Sequence, residues 1–316
     1  MVAPFLAALV VSQAPAPFPH ATASPICGAK TIPYQQAALA PASNGVWLAC
    51  RDSRTLVRVS SSGATVKTIK LGSFRPWAVA SGGGAVWVIS REVPVLLKLS
   101  RTGTQLERIP LTGTPASLWV GAGSVWVGFE AFGFERIDAT TGRATTFAEG
   151  DGVSAFASDG ANVYAVSHRD NAITRVGVAT GRSQHVAAGI VDVAKGSTEA
   201  AAFLNGSLWI TGRGLDLLRV NPANGKIRTV TEIGPAGVNV ATSGGRILVA
   251  GYSDTGARRG DPIVSRFGVV DPRSSKVVAT VTATRTVYLS GLSLLGGTIY
   301  AADTVQGRLV RLAVPR

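Results

Sequence analysis

The sequence predicts an all-β fold, a seven-bladed β-propeller with four-stranded blades, and three observations carry that prediction. A unit of roughly forty residues recurs seven times, each unit opens on a short triplet that is mostly small-apolar-small, and the same order of turns and apolar strands follows it. Aligned on Trp47, Trp87, Trp126, Tyr164, Trp209, Leu248 and Tyr300, the successive spacings are 40, 39, 38, 45, 39 and 52 residues. Blades of four strands need periods of about 40 to 45 residues, whereas solenoid repeats are shorter or helical.

The first strand of each unit is the most telling. Nine positions ahead of the anchor stand Ala38, Ala78, Ser117, Ala155, Ala200, Asn239 and Gly291, and seven ahead stand Ala40, Ala80, Trp119, Ala157, Ala202, Ala241 and Ser293. Alternation with period two puts these residues on one face of a strand. Small side chains there suit the axis of the wheel, where seven backbones converge. Trp119 breaks its column, so its indole either fills space left by a neighbour or projects toward the central channel.

A Gly-rich turn comes next, at Gly83-Gly84, Gly123, Gly160, Gly206, Gly244-Gly245 and Gly296-Gly297, and leads into a second, apolar strand such as Val86-Trp87-Val88. The third strand is recognisable as Leu56-Val57-Arg58-Val59 and its six counterparts, and turns such as Thr141-Gly142, Thr180-Gly181 and Asn224-Gly225 then suit a tight hairpin to a fourth. The last unit stops soon after its third strand, at Val314-Pro315-Arg316, so an N-terminal strand is expected to complete the final blade. Lys30-Thr31-Ile32-Pro33 is the segment expected to do so.

Composition agrees with one large repetitive domain over 24–316: 46% of residues are hydrophobic and 16% charged. No apolar run is long enough to span a bilayer. Residues 1–23 read as an export signal, with Phe5 to Val11 as its apolar core and Ala21-Thr22-Ala23 as a small-x-small cleavage site, although no Lys or Arg precedes the core and a Pro/Ala-rich tail is the plainer alternative. In an exported chain the two cysteines, Cys27 and Cys50, would pair and clip the closing segment to the first blade; otherwise they are two free thiols.

The net charge of +13 is partly structural. Arg58, Lys98, Arg136, Arg175, Arg219 and Arg311 share one position of the third strand, where a long stem and polar tip suit packing at the blade boundary. Arg143, Arg182, Lys226, Arg273 and Lys276 fall on the following turns and are expected to form a positive rim. Such a rim attracts an anionic polymer or surface without specificity, and no aromatic platforms for nucleic-acid bases accompany it.

Gly-Ala-Val-Trp-Val (84–88), Gly-Ser-Val-Trp-Val (123–127), Gly-Ser-Leu-Trp-Ile (206–210) and third-strand endings such as Arg136-Ile137-Asp138 resemble, over almost the whole chain, the YVTN-type and streptogramin lyase-like (virginiamycin B lyase-like) superfamily of seven-bladed propellers. In its enzymatic branch the resemblance implies a magnesium-dependent elimination that opens a cyclic depsipeptide, using a histidine base and acidic ligands late in the chain. This sequence has no histidine after His185, so that base has no counterpart here. A quinone-dependent dehydrogenase is disfavoured because the repeats lack that class's tryptophan docking pattern.

Candidate site residues lie in the connections between second and third strands, on the face where propellers commonly bind ligands. Ser167-His168-Arg169-Asp170-Asn171 offers an imidazole, a guanidinium and a carboxylate that could in principle serve as base, clamp and metal ligand, and its plainer reading is an ordinary polar turn. His20 falls in the leader and His185 in an outer strand. Equivalent connections supply Arg91, Glu92, Glu130, Arg213, Asp216, Tyr252, Asp254 and Asp303, with both charge signs interspersed, and the longest of them runs from Tyr252 to Pro262. The expectation is a secreted, monomeric, non-catalytic propeller that binds an extracellular protein, peptide or anionic polymer on this loop face, without a cofactor. The alternative is a carbon-oxygen lyase that uses Mg2+.

Overall fold

The structure, a computed structural model, describes residues 21–27, 38–188, 197–213, 215–230, 237–253, 264–283, 289–303 and 307–314. They form twenty-eight strands in seven antiparallel four-stranded sheets, and no α-helix occurs among them. After β1 (Thr22–Pro25), blade one is β2 (Leu39–Ala42), β3 (Gly45–Cys50), β4 (Thr55–Val59) and β5 (Thr65–Lys70). Blade two is β6 (Ala78–Gly82), β7 (Ala85–Ile89), β8 (Val95–Ser100) and β9 (Gln105–Pro110), and blade three β10 (Pro115–Gly121), β11 (Ser124–Phe129), β12 (Phe134–Asp138) and β13 (Ala144–Phe147). Blade four is β14 (Val153–Ser158), β15 (Asn162–Ser167), β16 (Ala172–Gly177) and β17 (Ser183–Ala188), and blade five β18 (Ser197–Leu204), β19 (Ser207–Arg213), β20 (Leu215–Val220) and β21 (Ile227–Val230). Blade six is β22 (Gly237–Ser243), β23 (Arg246–Ser253), β24 (Val264–Asp271) and β25 (Lys276–Thr282), and blade seven β26 (Leu289–Leu295), β27 (Thr298–Asp303) and β28 (Arg308–Ala313).

The fourth strand of blade seven is β1, which runs antiparallel to β28 with Thr22 opposite Arg311 and Pro25 opposite Arg308. Ring closure by the chain's own beginning therefore stands, but through an earlier segment than the expected Lys30–Pro33, which lies outside the described residues. The reason is legible in the burial: Thr22–Pro25 is short and partly exposed, so it carries no apolar alternation by which a strand would be recognised. A Cys27–Cys50 disulfide then ties the end of this closing segment to the end of β3, across the seam between the last and first blades.

Between blades the core repeats one arrangement. The anchors Trp47, Trp87, Trp126, Tyr164, Trp209, Leu248 and Tyr300 are all buried. Three indoles donate to the carbonyl five residues back, Trp87 to Gly82 at 3.1 Å, Trp126 to Gly121 at 3.2 Å and Trp209 to Leu204 at 3.3 Å, so the buried Nε1–H is satisfied inside its own hairpin. The repeated third-strand cation lies over that ring, with Lys98, Arg136 and Arg219 at 5.3, 5.8 and 5.4 Å from the centroids. Its tip reaches the next blade: Arg136 Nη1 donates to the Val178 carbonyl at 2.9 Å, Arg219 Nη1 to Ser275 Oγ at 3.0 Å, and Arg311 Nη1 to the Ser61 carbonyl at 2.7 Å. Three cations of the column expected to serve packing thus staple neighbouring blades, while Arg58, Lys98 and Arg175 bond within their own blade to Ser43, Glu107 and Gln184.

Those tips, and the exposed Arg143, Arg182, Lys226, Arg273 and Lys276, all sit at the end of the wheel that carries the hairpin turns. The opposite end carries the connections from one blade to the next and from second to third strands. That end holds the site.

Candidate functional site

Six of the seven first strands, those of blades two to seven, enter at the loop end with a local irregularity. The pairing of first and second strands shifts register between Pro115 and Ser117, Val153 and Ala155, Thr198 and Ala200, Gly237 and Asn239, and Ser290 and Leu292. In blade two, Trp77 N donates to the Ile89 carbonyl at 2.7 Å although Ile89 already pairs with Ala78 in the ladder. A bulge of this kind re-aims one side chain out of the alternation. Trp77, Ala116 and Ser154 occupy the equivalent position, one residue before the small-residue column, and all three line the central channel.

The channel has a volume of about 790 Å³ and is walled by the small and apolar residues of the first strands, among them Ala40, Val79, Leu118, Phe156, Ala202 and Leu292. Trp119 resolves both ways: it lines the channel and also packs against the buried cluster of Trp126, Phe134 and Phe156. The only ionisable side chains on the described wall are Arg91 and His168, both at the loop end.

Arg91 stacks on Trp77, with its guanidinium carbon 4.6 Å from the ring centroid, and forms an ion pair with Glu130. The Trp77 indole is itself pinned by an Nε1–H bond of 3.1 Å to the Ala116 carbonyl of blade three. Arg51 lies 5.8 Å over the same ring and shares Glu92 with Arg75, at 3.3 and 3.2 Å. Burial, then the positive charges of Arg51 and Arg169, lower the Arg91 pKa.

His168 is oriented by blade four's own connection. Its Nδ1 lies 2.5 Å from the Gly152 carbonyl, and its backbone N–H donates to the same oxygen at 3.1 Å. A carbonyl oxygen only accepts, so Nδ1 carries the proton and Nε2 keeps a lone pair. Burial holds the imidazole below its usual pKa, the Gly152 bond opposes this, and Arg169 adds to it. Next to it Arg169 pairs with Asp151 at 3.7 Å, and the Asp170 carboxylate accepts from the Asp151 backbone N–H at 2.5 Å.

Of the expected site residues, His168, Arg169, Asp170, Arg91, Glu92 and Glu130 thus gather at one side of the channel mouth, formed by blades one to four. Asp303 is buried at the loop end of β27, opposite Arg308 in the ladder, and does not line the channel. The side chains of Arg213, Asp216 and Tyr252, and the whole of Asp254, lie outside the described residues. Histidine 185 is on an exposed outer strand, as expected. Sequence reasoning missed Trp77, Asp151 and Arg75.

No three His, Cys, Asp or Glu side chains come together among the described residues. Glu92, Glu130 and Asp151 are each engaged by arginine and Asp170 by a backbone amide, so the described part of the mouth supplies no cage of carboxylate oxygens that would fit Mg2+.

The molecule is thus a seven-bladed propeller with a small-residue channel opening on a polar, arginine-rich loop face. Its fold is that of a streptogramin lyase-like β-propeller. It superposes on the virginiamycin B lyase of Staphylococcus aureus with a TM-score of 0.74 at 15% identity, covering 93% of this chain and 99% of that one. A streptogramin B lyase structure gives 0.73 at 14% identity, covering 92% and 96%. The hydrazine synthase of Kuenenia stuttgartiensis gives 0.69 at 11%, covering 90% and 97%. No protein-family model and no curated protein matches the sequence.

Proposed function

We propose that the protein is a secreted, non-catalytic propeller that binds a peptide, protein or cell-wall polymer at the mouth formed by its loop face. The observation that carries this reading is the division of labour there: the mouth's described carboxylates are engaged, while Trp77, Arg91 and His168 line a channel of ligand-sized volume and mixed polar and apolar surface. An aromatic ring, a cation and an acceptor in one place suffice to recognise a ligand. The Cys27–Cys50 bridge fits an oxidising compartment. Saturable binding to cell-wall extract, lost on Trp77→Ala and unaccompanied by turnover, is the expected result; no binding to wall polymer or wall peptides would overturn it.

The second reading, a magnesium-dependent carbon-oxygen lyase, has in its favour only the neutral His168 with its Nε2 lone pair at the channel wall, which is what a base requires, because the described part of the mouth does not fit the metal. Magnesium-stimulated loss of a streptogramin B substrate that disappears in His168→Ala supports it. Loss that persists in that variant removes His168 from the chemistry.

A further inference from the structure

We propose that the channel mouth is a seat for a single carboxylate bearing a hydrogen-bond donor within two or three bonds and an apolar remainder, the chemistry shared by a peptide C-terminus and a 2-hydroxy acid. This rests on the binding reading above and names the chemical class of its ligand.

Arg91 supplies the charge. It is the one cation on the described channel wall, and Arg51 over the same ring lies off that wall and is paired with Glu92, so the site matches a monoanion better than a phosphate dianion, which would need a second cation on the wall. Trp77 holds the guanidinium by one face and Glu130 holds it by one nitrogen. A guanidinium has five N–H donors in a planar fork, so an edge remains for bidentate acceptance by a carboxylate. Glu92 serves both Arg51 and Arg75, which leaves the patch around Trp77 with one positive charge in excess.

His168 supplies the second contact. With Nδ1 committed to Gly152, the ring's open position is an acceptor, and it is satisfied by an N–H or O–H of the ligand. Beyond the two polar groups the side chains of the wall are mostly Ala, Val, Leu, Phe and Trp, interrupted by the hydroxyls of Ser81, Ser117, Ser154, Ser158 and Thr242, so an apolar side chain or tail finds contact surface there beside polar patches.

Calorimetric titration of the full chain with four acid probes and one amide tests this. N-acetyl-Ala-Ala should bind at least tenfold tighter than its C-terminal amide, and severalfold tighter than N-acetyl-Ala-lactate, whose ester lacks the donor. 2-Hydroxyhexanoate against hexanoate makes the same comparison for a hydroxy acid and separates the two ligand sources. Arg91→Met should erase the acid–amide difference, and His168→Phe the amide–ester difference alone. Should Arg91→Met melt early, Arg91→Lys provides the folded comparison, with the difference reduced rather than erased. Equal binding of acid and amide, a difference that survives Arg91→Met, indifference to the donor, or no binding of any acid at 10 mM each overturns the inference. Wall-extract binding measured in parallel separates the failures: if it persists while the acids fail, only the ligand class is wrong.

Discussion

At the scale of single residues, the positions that matter are those that depart from their column. Trp77 stands where the other six units carry Ala37, Ala116, Ser154, Glu199, Val238 and Ser290, so a search of that column, one place before the one used to set the register, would have found it. Glu135 departs in the same way, in a third-strand column of Val57, Leu97, Thr174, Leu218, Gly268 and Val310. It is 1% exposed, its Oε1 accepts from Thr112 Oγ1 at 2.6 Å and from the Thr112 N–H at 3.3 Å, and its Oε2 has no partner. A buried carboxylate half satisfied is costly, so Glu135→Gln should leave stability unchanged or raise it, while Glu135→Ala, which empties a buried site and removes the acceptor of Thr112, should cost about 1 to 3 kcal/mol in urea unfolding. For His168, faced by Arg91, Arg169 and Asp151, the folded pKa lies below that of the unfolded chain. The unfolded state therefore binds more protons just below about pH 6.5, and stability falls as the pH drops through that value. Urea midpoints between pH 7.5 and 5.5 should show this slope, flattened in His168→Asn.

At the scale of elements, the inter-blade staple is the recurrent device. Arg136 makes two side-chain bonds, Nε to Ser124 Oγ and Nη1 to the Val178 carbonyl, each 2.9 Å long, and Arg136→Met keeps the stem while deleting both. A loss of about 1 to 3 kcal/mol is expected, read as a lower midpoint with unchanged slope. The column was legible from the sequence because it repeats, but the bridging by Arg136, Arg219 and Arg311 was not, since their acceptors lie 42, 56 and 250 residues away in another blade. The closing strand was illegible for the opposite reason: Thr22–Pro25 has no repeat and no apolar pattern, and only its pairing with β28 defines it. Deleting residues 21–25 should lower the melting temperature more than deleting five residues from an exposed hairpin turn. Replacing both cysteines by serine removes a cross-link over a sequence separation of 23, worth about 3 kcal/mol in the chain-entropy treatment. Cleavage of an export signal after Ala23 would cut β1 in half, so N-terminal sequencing of exported protein should find a start upstream of Thr22.

At the scale of the molecule, the two ends of the wheel have separate chemistry. The exposed turn cations Arg143, Arg182, Lys226, Arg273 and Lys276 belong to the hairpin end, whereas the channel mouth lies at the other, so the net charge of +13 says little about the mouth. Neutralising three of the turn cations should weaken salt-sensitive adhesion to anionic polymer and leave titration of the mouth untouched. The blade count and strand order were readable because seven copies average out local noise. The mouth was readable only as a set of loops, because its geometry depends on bulges and on contacts among four blades that no single repeat encodes. The placement of β1 carries a consequence for synthesis. Among the described strands the first to be made pairs with the last, so Thr22–Pro25 waits, unpaired, until β28 has been synthesised; a bond from Cys27 to Cys50, available once blade one has emerged, would keep the waiting segment moored beside the gap it must eventually fill.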